Sequence, residues 1–170
     1  MQYKLSFIRF LLLSITLSSC GEKEVLVVNE FEPQIITGYH LRDQNGYPYG
    51  TVGVPNTQLT VDPQQLEKGM VTLYPNPATS WAQMVAKGKP GSTARFWLVP
   101  ASMEGEQPEN NLLGVTVSRS TATPLAEYTF SIAPGSNHFS IDVSILPTGY
   151  YRAFLQTDDF LLWDNFVIQH

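Results

Sequence analysis

The stretch Phe139–Ile145 reads FSIDVSI, with four apolar side chains at every second position and three polar side chains between them. Because successive side chains of a β-strand point to opposite faces of a sheet, this alternation predicts a strand with one buried and one solvated face. The segments Tyr128–Ile132 and Leu113–Val117 alternate in the same way. Strands that are apolar on one side only are typical of antiparallel sheets.

The rest of the chain also predicts a sheet protein. From Val25 onward, segments rich in β-branched and aromatic residues are separated by Gly, Pro, Asn and Asp at intervals of about 8 to 14 residues, as in antiparallel sandwiches. Turn-forming residues at Ala133–Asn137 predict a hairpin between two strands. A helix is expected only over Asp62–Gly69, where Asp62 can cap it and the glycine can end it. We therefore expect an all-β sandwich with at most one short helix.

Composition and charge exclude several functional classes. The chain has 170 residues, of which 43% are hydrophobic and 15% are charged, and this suits one folded domain. Its formal net charge of -5 offers no basic surface to a phosphate backbone, so we expect no nucleic-acid partner. One Cys and three scattered His supply neither a disulfide framework nor a structural zinc site. The sequence also lacks the motifs of a nucleophile elbow, a zinc protease, a phosphate loop and a calcium loop. We therefore expect no enzymatic activity, no metal and no cofactor.

The N-terminal segment has the layout of a secretory signal. Lys4 and Arg9 precede an apolar run over Phe10–Leu17, which is shorter than the roughly 20 residues of a membrane-spanning helix. The segment ends in Leu17-Ser18-Ser19-Cys20, which resembles the lipobox of bacterial lipoproteins. In that family the cysteine is acylated and becomes the first residue after cleavage, which implies that Cys20 carries lipid. The alternative is an ordinary signal peptide with an incidental or buried cysteine.

The lipoprotein resemblance implies an organisation and a location. We expect a signal peptide over residues 1–19, a tether over 20–33, N-terminal strands with a breaker-rich loop over 34–69, and the sandwich over 70–170. Two or more acyl chains on Cys20 would make the membrane a stable partner. Gly21, and not Asp, follows the cysteine, which in lipoproteins resembles a signal for passage to the outer membrane. The expected location is therefore the outer membrane, on its periplasmic face or at the cell surface.

Two further motifs resemble the C-terminal sorting domains of the type IX secretion system. Leu73–Ser80 reads LYPNPATS and is similar to the entry motif of that family. Leu146–Tyr151 reads LPTGYY and is similar to the motif that begins its penultimate strand. The resemblance covers about residues 70–170 and implies an immunoglobulin-like sandwich. The structural residues that it implies are Pro75, Asn76, Pro77, Gly149 and Tyr151.

The chemistry of these motif residues is structural. Pro75 and Pro77 fix their own dihedral angles and favour extended conformations at the preceding residues, which suits a corner at the entrance to a sandwich. Gly149 permits a backbone conformation that other residues avoid. Side chains alternate over the following strand, so Tyr151 should point inward. A buried Tyr hydroxyl needs a hydrogen-bond partner, and we expect this one to fix its strand to a neighbouring loop.

Exposed aromatic residues are the best recognition candidates. Tyr47 and Tyr49 lie in the region 42–56, whose many Gly, Pro and Asn residues suit a hairpin tip better than a core. Tyrosines placed there can stack on a sugar or anchor a protein partner. Trp97, in contrast, lies in a continuous apolar run and should be buried. Asp158 and Asp159 are expected to form a turn, and not a cation site.

Three functions follow from these observations. The first, which we favour, is a non-enzymatic, lipid-anchored binding or adhesion module for another envelope protein or a glycan. The second is a component or substrate of type IX secretion, as the two motifs imply. The third is a small hydrolase with a carboxylate pair such as Glu127 and Asp142.

Overall fold

Strands dominate residues 34–105 and 124–170, the part of the chain that the computed structural model describes. In chain order they are β1 (Gln34–Ile36), β2 (Gly38–Arg42), β3 (Pro48–Gly53), β4 (Met70–Tyr74), β5 (Trp81–Lys87), β6 (Thr93–Met103), β7 (Ala126–Ser131), β8 (Asn137–Asp142), β9 (Gly149–Gln156) and β10 (Leu161–Ile168). In these ranges the only helical element is a 3-10 turn over Leu66–Lys68. No helix formed by the described residues is long and apolar enough to span a membrane.

The strands form two packed sheets and a separate hairpin. In the five-stranded sheet, β6 pairs with β9 and β9 with β10, while β1 and β7 lie along the other edge of β6. The three-stranded sheet has the order β4-β5-β8, and β2 pairs with β3 as a hairpin. All of these pairings are antiparallel except that of β1 with β6. The predicted all-β sandwich with at most one short helix is confirmed.

The main core lies between the two sheets. Leu73 and Met84 from the three-stranded sheet face Phe96, Leu155 and Phe166 from the five-stranded sheet, and all five are fully buried. Burial of each such side chain contributes about 1.5–3 kcal/mol to folding. The two sheets therefore hold together through apolar packing.

A second, smaller cluster lies on the other face of the five-stranded sheet. Trp97 is fully buried there, as predicted, and stacks on Phe154 at 5.1 Å, while the guanidinium of Arg95 lies 4.5 Å from the Trp97 ring centre. The indole Nε1 of Trp97 finds no hydrogen-bond partner among the described residues. Both faces of β6 are thus apolar, which explains its continuous apolar sequence.

The alternation that predicted strands is confirmed in part. Ile141 and Val143 are buried as expected, but β8 ends at Asp142 and Ile145 is 82% exposed. Oδ1 of Asp142 accepts hydrogen bonds from the backbone N and the hydroxyl of Ser144, and this local bonding turns the chain before Ile145. The segment 113–117 lies outside the described residues, as do residues 1–33 with Cys20.

The hairpin predicted at Ala133–Asn137 is wrong. β7 pairs with β6 in the five-stranded sheet, whereas β8 pairs with β5 in the three-stranded sheet, so this turn carries the chain between sheets. Oδ1 of Asn137 closes the turn by accepting a hydrogen bond from the backbone N of Ala133 at 2.9 Å. Turn-forming residues indicate where a chain reverses, but they do not determine which strands pair.

The helix expected over Asp62–Gly69 is reduced to the 3-10 turn. The side chain of Asp62 accepts a hydrogen bond from the backbone N of Gln64, and its backbone carbonyl accepts one from the backbone N of Gln65. These two bonds form a turn before any helix begins. Gly69 ends the element as predicted. A Cβ at Gly69 would lie 2.6 Å from Val61, so the close packing at this position also requires a glycine.

Tyr151 anchors the start of β9, as the sequence predicted. Its side chain points inward and is 3% exposed, and its hydroxyl donates a 2.6 Å hydrogen bond to the carbonyl of Pro147 in the preceding turn. Burial raises the pKa of the Tyr151 hydroxyl, which keeps it in the donating form. Gly149 is the first residue of β9, with φ of 158°, at the border of the region that favours glycine.

Replacing Tyr151 should separate the contribution of its ring from that of its hydroxyl. Tyr151→Phe keeps the ring and should lower the free energy of unfolding by about 1 kcal/mol, because one hydrogen bond is lost. Tyr151→Ala also leaves a cavity and should cost about 3–5 kcal/mol. Urea unfolding of the two variants measures the difference, and equal losses would contradict the buried position of the ring.

Candidate functional site

A buried ion pair joins the β2–β3 hairpin to the sandwich. Arg42, the last residue of β2, is 5% exposed, and Asp164, in the middle of β10, is fully buried. Nη1 of Arg42 lies 2.7 Å from Oδ2 of Asp164, and Nη2 lies 3.4 Å from Oδ1. Nη1 also donates to the carbonyl of Leu73, and Oδ2 accepts from the backbone N of Leu73, each at 3.1 Å. One charge pair therefore holds β2, β4 and β10 together.

The side chain of Asn76 connects the same three regions. Asn76 is fully buried, and its Nδ2 donates to the carbonyls of His40 and Asn165 while its Oδ1 accepts from the backbone N of Val167, all at 2.9 Å. The backbones of Asn76 and Arg42 exchange two hydrogen bonds at 3.0 Å. Each polar atom of the buried amide group thus has a partner, as buried amides require.

The two prolines shape the corner that presents Asn76. The peptide bonds Tyr74–Pro75 and Asn76–Pro77 are both cis. This corner connects β4 to β5 within the three-stranded sheet. The sequence placed this corner at the entrance to the sandwich, and that prediction is wrong because both prolines follow β4, which is already a strand of the three-stranded sheet.

Asn165 extends these contacts towards the chain that follows the hairpin. Its Nδ2 donates to the carbonyl of Gly38 at 2.7 Å and to Oδ1 of Asn56 at 2.8 Å, and its Oδ1 accepts from Nε of Arg152 at 3.3 Å. The backbone carbonyl of Asn56 accepts the indole N–H of Trp163 at 2.8 Å. The set of five side chains that bond the N-terminal region to the sandwich, here named the polar seam, is Arg42, Asn56, Asn76, Asp164 and Asn165.

Burial and charge determine the protonation of groups at the seam. Burial raises the pKa of the Asp164 carboxyl, and the Arg42 guanidinium and the Leu73 N–H act in the opposite direction. Burial lowers the pKa of His40 from its ordinary value of 6.5, and the positive charge of Arg42 lowers it further. The negative charge of Asp164 has a smaller, opposing effect. A second proton on His40 would therefore place a new charge beside Arg42.

The hairpin tip is closed by Asp43 and lies against the sandwich. Oδ1 of Asp43 accepts hydrogen bonds from the backbone N of Asn45 and of Tyr47 at 2.9 Å each. Gly46 has φ of +83°, and a Cβ there would lie 2.9 Å from the ring of Tyr74, so both the turn and the close approach require a glycine. The tip therefore rests on the last side chain of β4.

Tyr47 and Tyr49 project from this tip, as the sequence predicted. They are 70% and 65% exposed. We name these two residues the tyrosine tip. The seam fixes the hairpin at Arg42, directly before the turn, so the two exposed aromatic side chains are carried on a support with many buried hydrogen bonds.

The outer face of the three-stranded sheet continues from the tip. Tyr74 on β4, Gln83 on β5 and Ser140 on β8 lie opposite one another in register, and the Ser140 hydroxyl donates to Oε1 of Gln83 at 3.2 Å. Trp81 and Asp142 form the neighbouring pair, and Trp81 is 47% exposed. We name these five residues the sheet platform.

The carboxylate pair considered for a hydrolase is not assembled. Glu127 lies opposite Trp97, on the outer face of the five-stranded sheet, and binds Nε of Arg95 at 2.7 Å. Asp142 lies on the outer face of the three-stranded sheet and bonds to Ser144. The core separates these two outer faces, so Glu127 and Asp142 cannot act on one bond.

Other candidate sites carry less chemistry. Asp158 and Asp159 lie in the β9–β10 turn, which Thr157 closes through hydrogen bonds from Asp159 and Phe160, as predicted. Within 34–105 and 124–170, no three His, Cys, Asp or Glu side chains come together as metal ligands. A shallow cavity of about 380 Å³ carries two cations and two carboxylates around apolar residues, so its charge selects no ligand class. It is lined by Val61, Glu67, Lys68, Lys89, Asp159 and Phe160.

One residue of the last strand indicated the polar seam. Asp164 interrupts the apolar strand Leu161–Ile168, and a carboxylate at such a position needs a buried partner. That partner, Arg42, lies 122 residues earlier, in a region whose composition suggested only a loop. No local pattern identifies such a distant pair.

The ion pair should show strong coupling in a double-mutant cycle. Asp164→Leu leaves a buried guanidinium without its counter-charge and should lower the free energy of unfolding by about 3–5 kcal/mol. Combining it with Arg42→Met removes both charges and should recover part of this loss, although the Leu73 N–H still lacks its acceptor. Urea unfolding of both single variants and the double variant gives the coupling, and additive losses would show that the pair does not interact.

Protonation of His40 should weaken the fold. The pKa of His40 is lower in the folded protein than in the unfolded chain, so the unfolded state binds more protons in the pH range just below 6.5. Stability should therefore fall as the pH is lowered through this range. Thermal unfolding of the wild type and of His40→Gln between pH 7.5 and pH 5 isolates this contribution, and an identical pH profile for the variant would contradict it.

Comparisons with known proteins identify no relative. The chain matches no protein-family model, no curated protein and no solved structure. The resemblances to lipoproteins and to sorting domains stay predictions from the motifs. Function is therefore inferred from the described side chains.

Proposed function

We propose that this protein is a non-enzymatic, lipid-anchored envelope protein whose sandwich binds another envelope component through the tyrosine tip. Acyl chains on Cys20 attach it to the outer membrane, and residues 20–33 link the anchor to β1. The sandwich then stands next to the membrane surface as a binding module.

The exposure of Tyr47 and Tyr49 on a fixed support is the observation that carries this proposal. A two-stranded hairpin is only marginally stable by itself in water. This hairpin is held by a buried ion pair at Arg42 and by the buried Asn76 amide. Burying these charged and polar groups costs desolvation free energy, and the contacts that offset it fix the position of the hairpin. Rigid support reduces the entropy that a recognition loop loses on binding.

The chemistry of the tip also suits recognition. Tyrosine offers a large apolar ring and a polar hydroxyl, and only two side-chain dihedral angles need to be fixed on binding. Tyr47 and Tyr49 together expose two such rings within three residues. Single exposed hydrophobic residues are common on protein surfaces, whereas two exposed tyrosines, two positions apart on a supported hairpin, suit a binding element.

The proposal is tested in cells with the full chain. A photo-crosslinking residue at position 47 should link the acylated protein to an envelope component, and the same residue at the exposed position Ile145 should not. Tyr47→Ala/Tyr49→Ala should abolish binding of the purified acylated protein to isolated envelopes and leave the urea midpoint nearly unchanged. Cys20→Ser should move the protein to the soluble fraction. The proposal would be overturned if Tyr47→Ala/Tyr49→Ala bound envelopes as well as the wild type does. It would also be overturned if the unacylated Cys20→Ser protein were recovered with the membranes.

A further inference from the structure

We propose that the sheet platform is a binding site for an uncharged polysaccharide, continuous with the tyrosine tip. This inference rests on the proposed function, because it names the class of envelope component that the module binds. It depends on a second surface, formed by Tyr74, Trp81, Gln83, Ser140 and Asp142 on three adjacent strands.

The arrangement of the platform follows from the sheet. Val71, Leu73, Met84 and Ile141 point into the core, so their neighbours along each strand point outward. Neighbouring strands are about 4.8 Å apart, and the row from Tyr74 through Gln83 to Ser140 therefore spans about 10 Å. The tip extends this row, because the backbone at Gly46 approaches the Tyr74 ring so closely that a Cβ there would lie 2.9 Å from it. The resulting surface is long enough for more than one sugar ring.

The side chains of the platform match the chemistry of a sugar chain. Aromatic rings such as that of Trp81 stack on the apolar C–H faces of pyranoses, while amide and hydroxyl groups bond to sugar hydroxyls. The Oε1 atom of Gln83 is held by Ser140, and none of the described residues accepts a hydrogen bond from its Nε2. The Ser140 hydroxyl therefore orients this amide on the sheet face.

The charge of this surface disfavours an anionic ligand. The carboxylates of Asp142 on the platform and of Asp43 beside the tip give this surface negative charge, and none of the five platform residues is a cation. The only Lys or Arg on the outward positions of β4, β5 and β8 is Lys87, at the far end of β5. An acidic polysaccharide would meet like charge here, whereas a neutral one would not.

The small apolar area argues against a protein partner on this face. Val85 is outward but only 7% exposed, so it offers little surface. Protein interfaces usually centre on buried aromatic, Met or Arg anchors within an apolar patch. On the platform, the exposed Trp81 and the half-buried Tyr74 lie among amide, hydroxyl and carboxylate groups, a combination that suits a polyhydroxylated ligand.

The test measures binding of neutral and acidic polymers to the full-length acylated protein in detergent. Dextran, mannan, laminarin and xyloglucan serve as neutral probes, and alginate serves as the acidic probe. We expect retardation in native affinity gels with at least one neutral polymer, and none with alginate. Trp81→Ala should weaken that binding about tenfold or more, since loss of one stacking ring approaches 1.4 kcal/mol. The matched control is Ile145→Ala, at an exposed site outside the platform, which should bind like the wild type.

The outcomes distinguish this inference from the proposed function. The polysaccharide proposal would be overturned if the protein bound none of the neutral polymers, or bound alginate as well as it bound them. Unchanged polymer binding by Trp81→Ala would also overturn it. A photo-crosslinking residue at position 81 that captured a protein and no polysaccharide would overturn it as well. Loss of envelope binding by Tyr47→Ala/Tyr49→Ala in any of these cases would still support the proposed function, because that result does not require a glycan.

Discussion

The contact between Arg42 and Asp164 is the constraint on which the arrangement of this protein depends. A carboxylate removed from water is tolerated only if a cation and hydrogen-bond donors replace its hydration. Asp164 receives both, from the Arg42 guanidinium and from the backbone N of Leu73. The pair can form only when β2, β4 and β10 are in their final positions. It therefore selects one arrangement of the hairpin, whereas apolar packing alone would tolerate several.

The Asn76 corner makes the same selection with neutral groups. Its amide bonds to segments on both sides of it, and its backbone pairs with Arg42. A sliding hairpin would break these contacts together, because each involves a different neighbour. The position of the tip over Tyr74 thus follows from the buried contacts of Arg42 and Asn76 beside the turn, and the tyrosine tip and the sheet platform become parts of one surface.

Local patterns in the sequence predicted the all-β fold and the exposed tip. Alternation assigned the inward position of Tyr151, and the breakers near Tyr47 predicted a loop that exposes its side chains. These patterns did not predict strand pairings or side-chain contacts between residues that are far apart in the sequence. Ala133–Asn137 looks like a hairpin turn, yet its two strands belong to different sheets, and only the competition among all strands decides that pairing. The seam could not be predicted for the same reason, since Arg42 and Asp164 are far apart in the chain. Short side-chain bonds were also decisive: Asp142 ends β8 earlier than alternation suggested.

Native-state hydrogen exchange tests the central claim most directly. If the polar seam makes the hairpin part of the sandwich, the backbone amides of Arg42, Leu73, Asn76 and Val167 should exchange only through global unfolding. Their exchange free energies would then equal that of a core amide such as that of Ala153, which is fully buried. Exchange of the Arg42 and Asn76 amides at a much lower free energy would show that the hairpin opens independently, and would contradict the account.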